Sequence, residues 1–466
     1  MVTRPKKTLV KDAPAKRKIL ITVGIVAALF VVANIAMVIM YHDRALPNYH
    51  LGKLAIGGKS LDELEATKPS DILAAALTFA KNDKTISKSP EDLGVHVDIE
   101  KSLHSANGGL RWLPVFSLFG RHHIALTLQI DHDQYNKTTA KVNNALSQQP
   151  VKQHIDFDGS NFVIKPNQDG YEVNTDKLLP SVTSAFQKGQ SQLTVSTQTI
   201  HATDHADLSG QLASLQKQLD LKLSFAYRSQ TIQPSRSDIG KWFTGKGQTM
   251  TMSTTRFKSY IISVGKRLGI AVANQSNLAV ASAYALGKNL PMEFAIVPSN
   301  SATVVRTYCT AVRGVNPAVL PDLNGKLAAT YADVRGWNDN GRIVFQKVAS
   351  GCQYTVWMSA ANQMTTFGAI CDDFYNCQVG TSVVMNYNRW TSATPPWNKT
   401  GRSLEDYHVL MINHESGHRL GFLDNPTCPG AGKPAPVMMQ QSINLKGCTF
   451  NIWPLASEFT ALNKTL

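Results

Sequence analysis

His414-Glu-Ser-Gly-His-Arg-Leu-Gly-Phe-Leu-Asp424 is the stretch on which the last third of this 466-residue chain turns. On a helix, His414 and His418 are four residues apart and project from one face. Two imidazoles so placed can reach one zinc ion at about 2.0–2.1 Å. Glu415 stands next to them, rotated off the ligand face, where a carboxylate can take a proton from water. Gly421 falls where the helix must stop, and a residue without Cβ can turn left-handed there and send the chain back. Three residues later Asp424 is placed to be the third ligand, leaving the fourth position to water. Upstream, Ser403 is a plausible N-cap with Asp406 at the third helical position. Tyr407, Met411, His414 and His418 then form one stripe, so the ligand face is expected to be the buried face. The rival reading, a core helix with two satisfied histidines, leaves Glu415, Gly421 and Asp424 as coincidences.

The five fixed positions of His-Glu-x-x-His-x-x-Gly-x-x-Asp resemble the motif of the metzincin zinc peptidases, whose usual third ligand is histidine. The aspartate form is similar to the snapalysin group of secreted bacterial proteases. Metzincins also set a methionine turn beneath the metal, and Pro436-Val-Met-Met439 lies at a suitable distance, with Met438 or Met439 as the candidate. The tyrosine that often follows that methionine is absent; Gln440 and Gln441 stand there. An aspartate ligand would lower the net charge at zinc and make its water less acidic. The wider stretch, residues 308–453, resembles an uncharacterised family of exported actinobacterial metzincin-like domains. Arg335-Gly-Trp337, Asn386-Tyr-Asn-Arg-Trp390, Ala435-Pro-Val-Met-Met-Gln-Gln441 and Gly447-Cys448 carry that likeness. The resemblance implies a mixed sheet plus an active-site helix, a zinc cofactor and a protein or peptide substrate. Thr381-Ser-Val-Val-Met-Asn386 reads as a strand; by the same resemblance it borders the cleft and offers an edge to an extended peptide.

Cys309, Cys352, Cys371, Cys377, Cys428 and Cys448 are the only cysteines, all in the last third. An even number confined to one exported domain reads as three disulfides, although six cysteines leave the connectivity open. A zinc–thiolate site is the rival, but no CxxC spacing occurs. Cys428 and Cys448 flank the methionine turn, and a bond between them would pin it. Cys371 with Cys377, and Cys309 with Cys352, are then left over.

Export is expected from the other end. Residues 19–41 are apolar without a charge, and these 23 residues suffice to cross a hydrocarbon core of about 30 Å. A cleavable signal peptide has a shorter apolar run, of about 7–15 residues, and a small-residue site after it. A signal anchor is therefore the reading, with Asn34 as its one awkward side chain. Residues 1–18 carry seven basic side chains against Asp12, so +6 of the chain's +14 precedes the span. Those charges are expected to stay in the cytoplasm and leave everything after His42 outside. The remaining charge is spread thinly, with no basic patch interleaved with aromatics, which argues against nucleic acid as a partner.

Between span and catalytic segment runs a faint repeat. Gly94-Val-His-Val-Asp-Ile-Glu-Lys-Ser-Leu103 recurs as Gly170-Tyr-Glu-Val-Asn-Thr-Asp-Lys-Leu-Leu179, each a short strand leading into a helix capped by Asp98 or Asn174. A third copy starts at Ser253, ahead of Phe257, Tyr260, Ile261, Val264 and Leu268 on one face. Residues 46–290 look like extracellular modules of the VanW/YoaR type, which implies peptidoglycan as a partner; a plain stalk is the alternative. His201 and His205 have i, i+4 spacing, but they sit in a polar connector without a further ligand. Val297-Pro-Ser-Asn-Ser-Ala302 reads as a linker.

The expectation is thus an α+β protein in five parts. These are a cytoplasmic tail (1–18), a single-pass membrane anchor (19–41), α+β modules (46–205), a further module (206–298) and a metzincin-like domain (299–466). The expected function is that of a cell-surface zinc metalloendopeptidase. The alternatives are a non-catalytic peptidoglycan-binding or adhesion protein, and a hydrolase of peptidoglycan stem peptides.

Overall fold

The computed structural model describes residues 14–105, 112–203, 205–299 and 304–465. Helices and small sheets mix along the chain, so the fold class is α+β. Most of the basic tail, including Arg4, Lys6, Lys7 and Lys11, lies outside the described residues, as do the last residues of the Val297–Ala302 run. The chain divides into two compact units, residues 1–151 with 167–203, and residues 152–166 with 204–466.

The first unit begins with a helix, Pro14–Met40, whose part from Leu20 to Met40 is long and apolar enough to cross a membrane. Beyond it, short strands pair in twos and threes around a core that includes Leu51, Leu77, Phe79, Val95, Val142, Val182 and Phe186. Both repeat copies take the expected form. Strand Val95–Val97 leads into helix Ile99–Ser105, and strand Gly170–Val173 into helix Thr175–Gln187. The caps are made as the residue types require: Asp98 Oδ1 accepts from Lys101 N at 2.9 Å and Asn174 Oδ1 from Lys177 N at 3.2 Å. His122 and His123 open a short strand, His122–Ile124, which pairs in parallel with Tyr49–Leu51.

In the second unit Ser253 caps helix Thr254–Leu268 through Arg256 N, and Phe257, Ile261 and Val264 are fully buried. That helix belongs to a core with strands Leu223–Tyr227 and Met292–Ala295, which run parallel. The hairpin of His154–Phe157 with Phe162–Lys165 packs into this same core through Ile155 and Phe162, although its position in the sequence falls among residues 46–205. The reason is aromatic: Phe162 meets Phe157 at 5.2 Å and Phe243 at 5.3 Å between ring centroids.

The run after residue 295 does not behave as a loose linker where it is described. Ile296 and Val297 are buried, and the Asn274 side chain accepts from Val297 N and donates to Ala295 O. Helix Gln275–Lys288 also packs on helix Leu320–Ala332, where the absence of a side chain at Gly325 lets the Tyr284 ring approach. Module and C-terminal domain therefore share a core through Ala328, Ala329 and Ala332.

The C-terminal sheet has five strands, ordered Ile343–Lys347, Val304–Arg313, Tyr354–Ser359, Ser382–Asn386 and Cys377–Val379. Neighbours among the first four are parallel; Cys377–Val379 joins antiparallel. Ser382–Asn386, expected to offer an edge, is therefore paired on both sides, and Cys377–Val379 is the edge strand on that side, with Ile343–Lys347 at the other. The apolar run Val383-Val-Met385 is buried, as suits an interior strand. Three disulfides form in the expected pairs: Cys309–Cys352, Cys371–Cys377 and Cys428–Cys448. The second staples the base of the edge strand.

Candidate functional site

Helix Leu404–Arg419 carries the motif, and its start follows the sequence: Ser403 Oγ accepts from Asp406 N at 3.1 Å. Ten of its sixteen residues are buried, so the helix has protein on most sides. Tyr407 and Met411 are buried as expected, but His414 and His418 are only half-buried. The stripe is therefore not uniformly internal; its C-terminal half opens to solvent, as a site requires.

The two imidazoles are held by backbone carbonyls. His414 Nδ1 lies 3.0 Å from Val437 O and His418 Nδ1 lies 2.7 Å from Phe422 O. A carbonyl can only accept, so each Nδ1 carries a proton, and in the neutral ring it is Nε2 that offers the lone pair. Such carbonyl partners fix ring orientation and tautomer in metal-binding histidines. The ring centroids are 4.9 Å apart and the planes nearly perpendicular. Burial, then the neighbouring His418, push the His414 pKa down to about 4, so His414 is neutral at physiological pH.

Glu415 is 6% exposed, and burial pushes its carboxyl up to about 8. His414 and Glu415 line a small cavity of about 70 Å³ with Tyr375, Asn376, Met439 and Gln440. Tyr375 precedes the edge strand, and its phenol is the residue that sequence reading missed. No tyrosine follows the methionines, but one reaches the cavity wall from another element; only the fold brings it there.

Beneath the helix, Gly417 faces Met438. A Cβ on Gly417 would overlap Met438 Sδ and come within 3.2 Å of Trp337 Cζ2. Of the two candidates, Met438 thus packs under the motif, and Met439 lines the cavity. Trp337, from the Arg335-Gly-Trp motif, is fully buried and donates Nε1–H to Asn413 O at 2.8 Å. Glu458 fixes the methionine turn: its carboxylate accepts from Val437 N at 3.0 Å, Met438 N at 2.9 Å and Leu455 N at 2.8 Å. Nothing near the motif in sequence points to Glu458, some forty residues downstream. Gln441 also lines the cavity, but its amide is turned inward, bonding Pro436 O, Asn451 O and Asn451 N, and so braces the turn.

Gly421 does end the helix, with φ +105°, and Phe422 N reaches back to Gly417 O at 3.2 Å. The turn delivers Phe422 inward, its ring 5.2 Å from that of Trp337. The next residues then face out: Leu423 is 87% exposed and Asp424 is exposed as well. Among the described residues no three metal-ligating side chains come together. The structure thus brings together His414, Glu415 and His418 and leaves Asp424, the expected third ligand, outside. The inward place after Gly421 is taken by an aromatic side chain that gains more from burial than a carboxylate would. Among the described residues the site therefore holds two carbonyl-oriented imidazoles, one side chain short of the three protein ligands usual at a catalytic zinc.

Comparison with known proteins adds two matches. Residues 295–458 match the family described as "Protein of unknown function (DUF3152)". Residues 86–194 match the family described as "Putative peptidoglycan binding domain". No curated protein and no solved structure matches the chain. The second stretch lies within the part expected to bind the cell wall, and the first coincides with the domain that holds the His414–His418 pair; the chain is similar to a peptidoglycan-binding family in one region and to a family without an assigned activity in the other.

Proposed function

We propose that the chain is a membrane-anchored, cell-surface protein that engages peptidoglycan through the region around residues 86–194 and hydrolyses peptide bonds with its C-terminal domain. The first half rests on the family match and on the apolar helix Leu20–Met40. The second rests on one observation above all: two neighbouring imidazoles held at Nδ1 by carbonyls, beside a buried carboxyl that lines a cavity.

His414 and His418 would hold a zinc ion, with Asp424 as third ligand if residues 423–427 turn inward. When bound, zinc would polarise the scissile carbonyl, acidify a water molecule and favour the ionised form of Glu415. Glu415 takes the proton of the attacking water on its carboxylate and returns it to the leaving amine nitrogen. Met411 and Met439 exclude bulk water from the inner wall of the cavity. The Cys377–Val379 edge offers backbone groups to an extended substrate strand. The phenol of Tyr375, a residue of the cavity wall, would donate to the carbonyl oxygen as it gains charge.

The test uses the purified full chain in detergent. About one zinc per chain is expected by elemental analysis, and Glu415→Gln should retain the metal while losing cleavage of casein and of peptidoglycan stem peptides. Unchanged cleavage in that variant would discard the mechanism. A second reading, a wall-binding protein without turnover, is favoured by the exposed position of Asp424. Sedimentation with purified peptidoglycan in the absence of any hydrolysis or bound metal would establish it.

A further inference from the structure

The segment Trp112-Leu-Pro-Val-Phe-Ser-Leu-Phe119 carries no charge, yet much of it stands open. Trp112 is 86% exposed and Phe119 69%, with Leu113, Phe116 and Leu118 also exposed. A contiguous apolar patch of this kind marks an interaction surface.

Its position indicates which one. The segment lies along the apolar helix Pro14–Met40. Phe116 meets Phe30 edge-on at 5.6 Å, and Val115 N donates to Asn34 Oδ1 at 3.2 Å. From Leu20 to Met40, only Phe30, Asn34 and Met37 are covered, at the four-and-three spacing of a single stripe. Asn34 lies two turns before Tyr41, which puts its contact with Val115 about 10 Å inside the outer end of the apolar span.

Backbone at that depth must find partners within the protein. Here it does. Pro114 has no N–H, Phe116 N bonds Leu113 O, and Phe119 N bonds Phe116 O. Ser117 Oγ donates to Pro114 O at 2.7 Å, and the Asn48 amide donates to Ser117 O and Leu118 O. The single 3-10 turn Pro114–Leu118 is thus closed on itself and tied at both ends to the protein, with its aromatic side chains turned outward.

We propose that residues 112–119 form a re-entrant element that inserts into the outer leaflet beside the anchor helix, with lipid acyl chains covering Trp112, Phe116 and Phe119. Asn34, the one amide side chain of the span, is its clasp. This inference rests on the reading of Leu20–Met40 as a membrane anchor.

The full chain, reconstituted in phosphatidylcholine–phosphatidylglycerol vesicles with a phospholipid carrying a diazirine on its acyl chain, is photolabelled and mapped by mass spectrometry. Labels are expected in residues 20–40 and also in residues 112–119, the latter at least about five-fold above Ile370 and Leu423, exposed apolar residues of the other unit. Phe116→Asp should abolish the labels at 112–119 and leave those at 20–40. Labelling of residues 20–40 alone overturns the insertion while keeping the anchor, whether water or a second copy covers the patch. Labels at 112–119 that persist in Phe116→Asp overturn it too. Labelling of neither region removes the anchor and this proposal with it.

Discussion

The apolar helix Pro14–Met40 and the motif helix Leu404–Arg419 handle their polar side chains in opposite ways. In the first, the only polar exception deep in the span is matched at both ends of its amide: Asn34 Nδ2 donates to Phe30 O at 2.8 Å and Oδ1 accepts from Val115 N. In the second, polar groups are plentiful and most are matched. Asn413 donates to Ile452 O, His408 Nε2–H to Trp390 O, and the Ser416 hydroxyl meets the Tyr331 phenol. Glu415 differs from all of them, because burial acts on it with nothing to offset it. A buried carboxyl that lines a cavity, and whose pKa burial raises with nothing to offset it, is a candidate for a chemical task.

The largest expected effect breaks or sharpens that contrast directly. Glu415→Gln should lower peptide cleavage by roughly 10²–10⁴-fold while the folded state is unharmed or slightly more stable, since burial no longer opposes a charge. Steady-state rates and a thermal melt on the same sample decide it. Next, removing the Cys428–Cys448 bond with paired Ser substitutions should cost about 3 kcal/mol in denaturant unfolding, through a loop spanning 20 residues. Glu458→Ala leaves two buried N–H groups of the methionine turn unpaired, at a cost of about 2 kcal/mol. Zinc affinity should fall with it, because Val437 O orients His414; an unchanged affinity would show that the turn is not held by Glu458. Gly417→Ala is a finer probe. Ala gains about 1 kcal/mol of helix propensity, but its Cβ overlaps Met438 in a closed core, and the net change should be a loss of about 1 kcal/mol.

The smallest effect lies at the first turn of the motif helix, where Lys326 and Tyr284 both meet Glu405. Desolvation pushes the Glu405 pKa up, but the hydrogen bonds from Lys326 and Tyr284 outweigh it and hold it below the usual value. A lowered folded-state value means stability is present above the ordinary glutamate range and is lost as pH falls through the folded-state value. Lys326 is the more deeply buried partner and lies below its own usual value, so the more open carboxylate carries the readable signal. With Glu405 over a third exposed by its side chain environment, Glu405→Gln should flatten the acid limb of stability by under about 1 kcal/mol.

Local chemistry was legible throughout. Ser403, Asp98, Asn174 and Ser253 cap the helices they were expected to cap, and Gly421 turns left-handed where the motif helix ends. The three disulfides follow the expected pairs. What failed to show in the sequence were packing relations that depend on distant segments meeting. On its side of the sheet the edge is Cys377–Val379, not the apolar strand Ser382–Asn386, because a strand cannot announce how many neighbours it will have. Residues 154–165 join the second unit because a ring at Phe243 receives Phe162.

By itself, the sequence determined the apolar helix, the caps and the helical pair His414–His418, since each depends on residues a few positions apart and on intrinsic backbone preferences. Only the tertiary structure decided that Phe422 takes the inward place after Gly421 while Asp424 faces out, that Met438 and not Met439 lies under Gly417, and that Glu458 and Tyr375 belong to the site. Those outcomes are settled by competition for buried volume and hydrogen bonds among segments far apart in the chain, a competition that spacing alone does not encode.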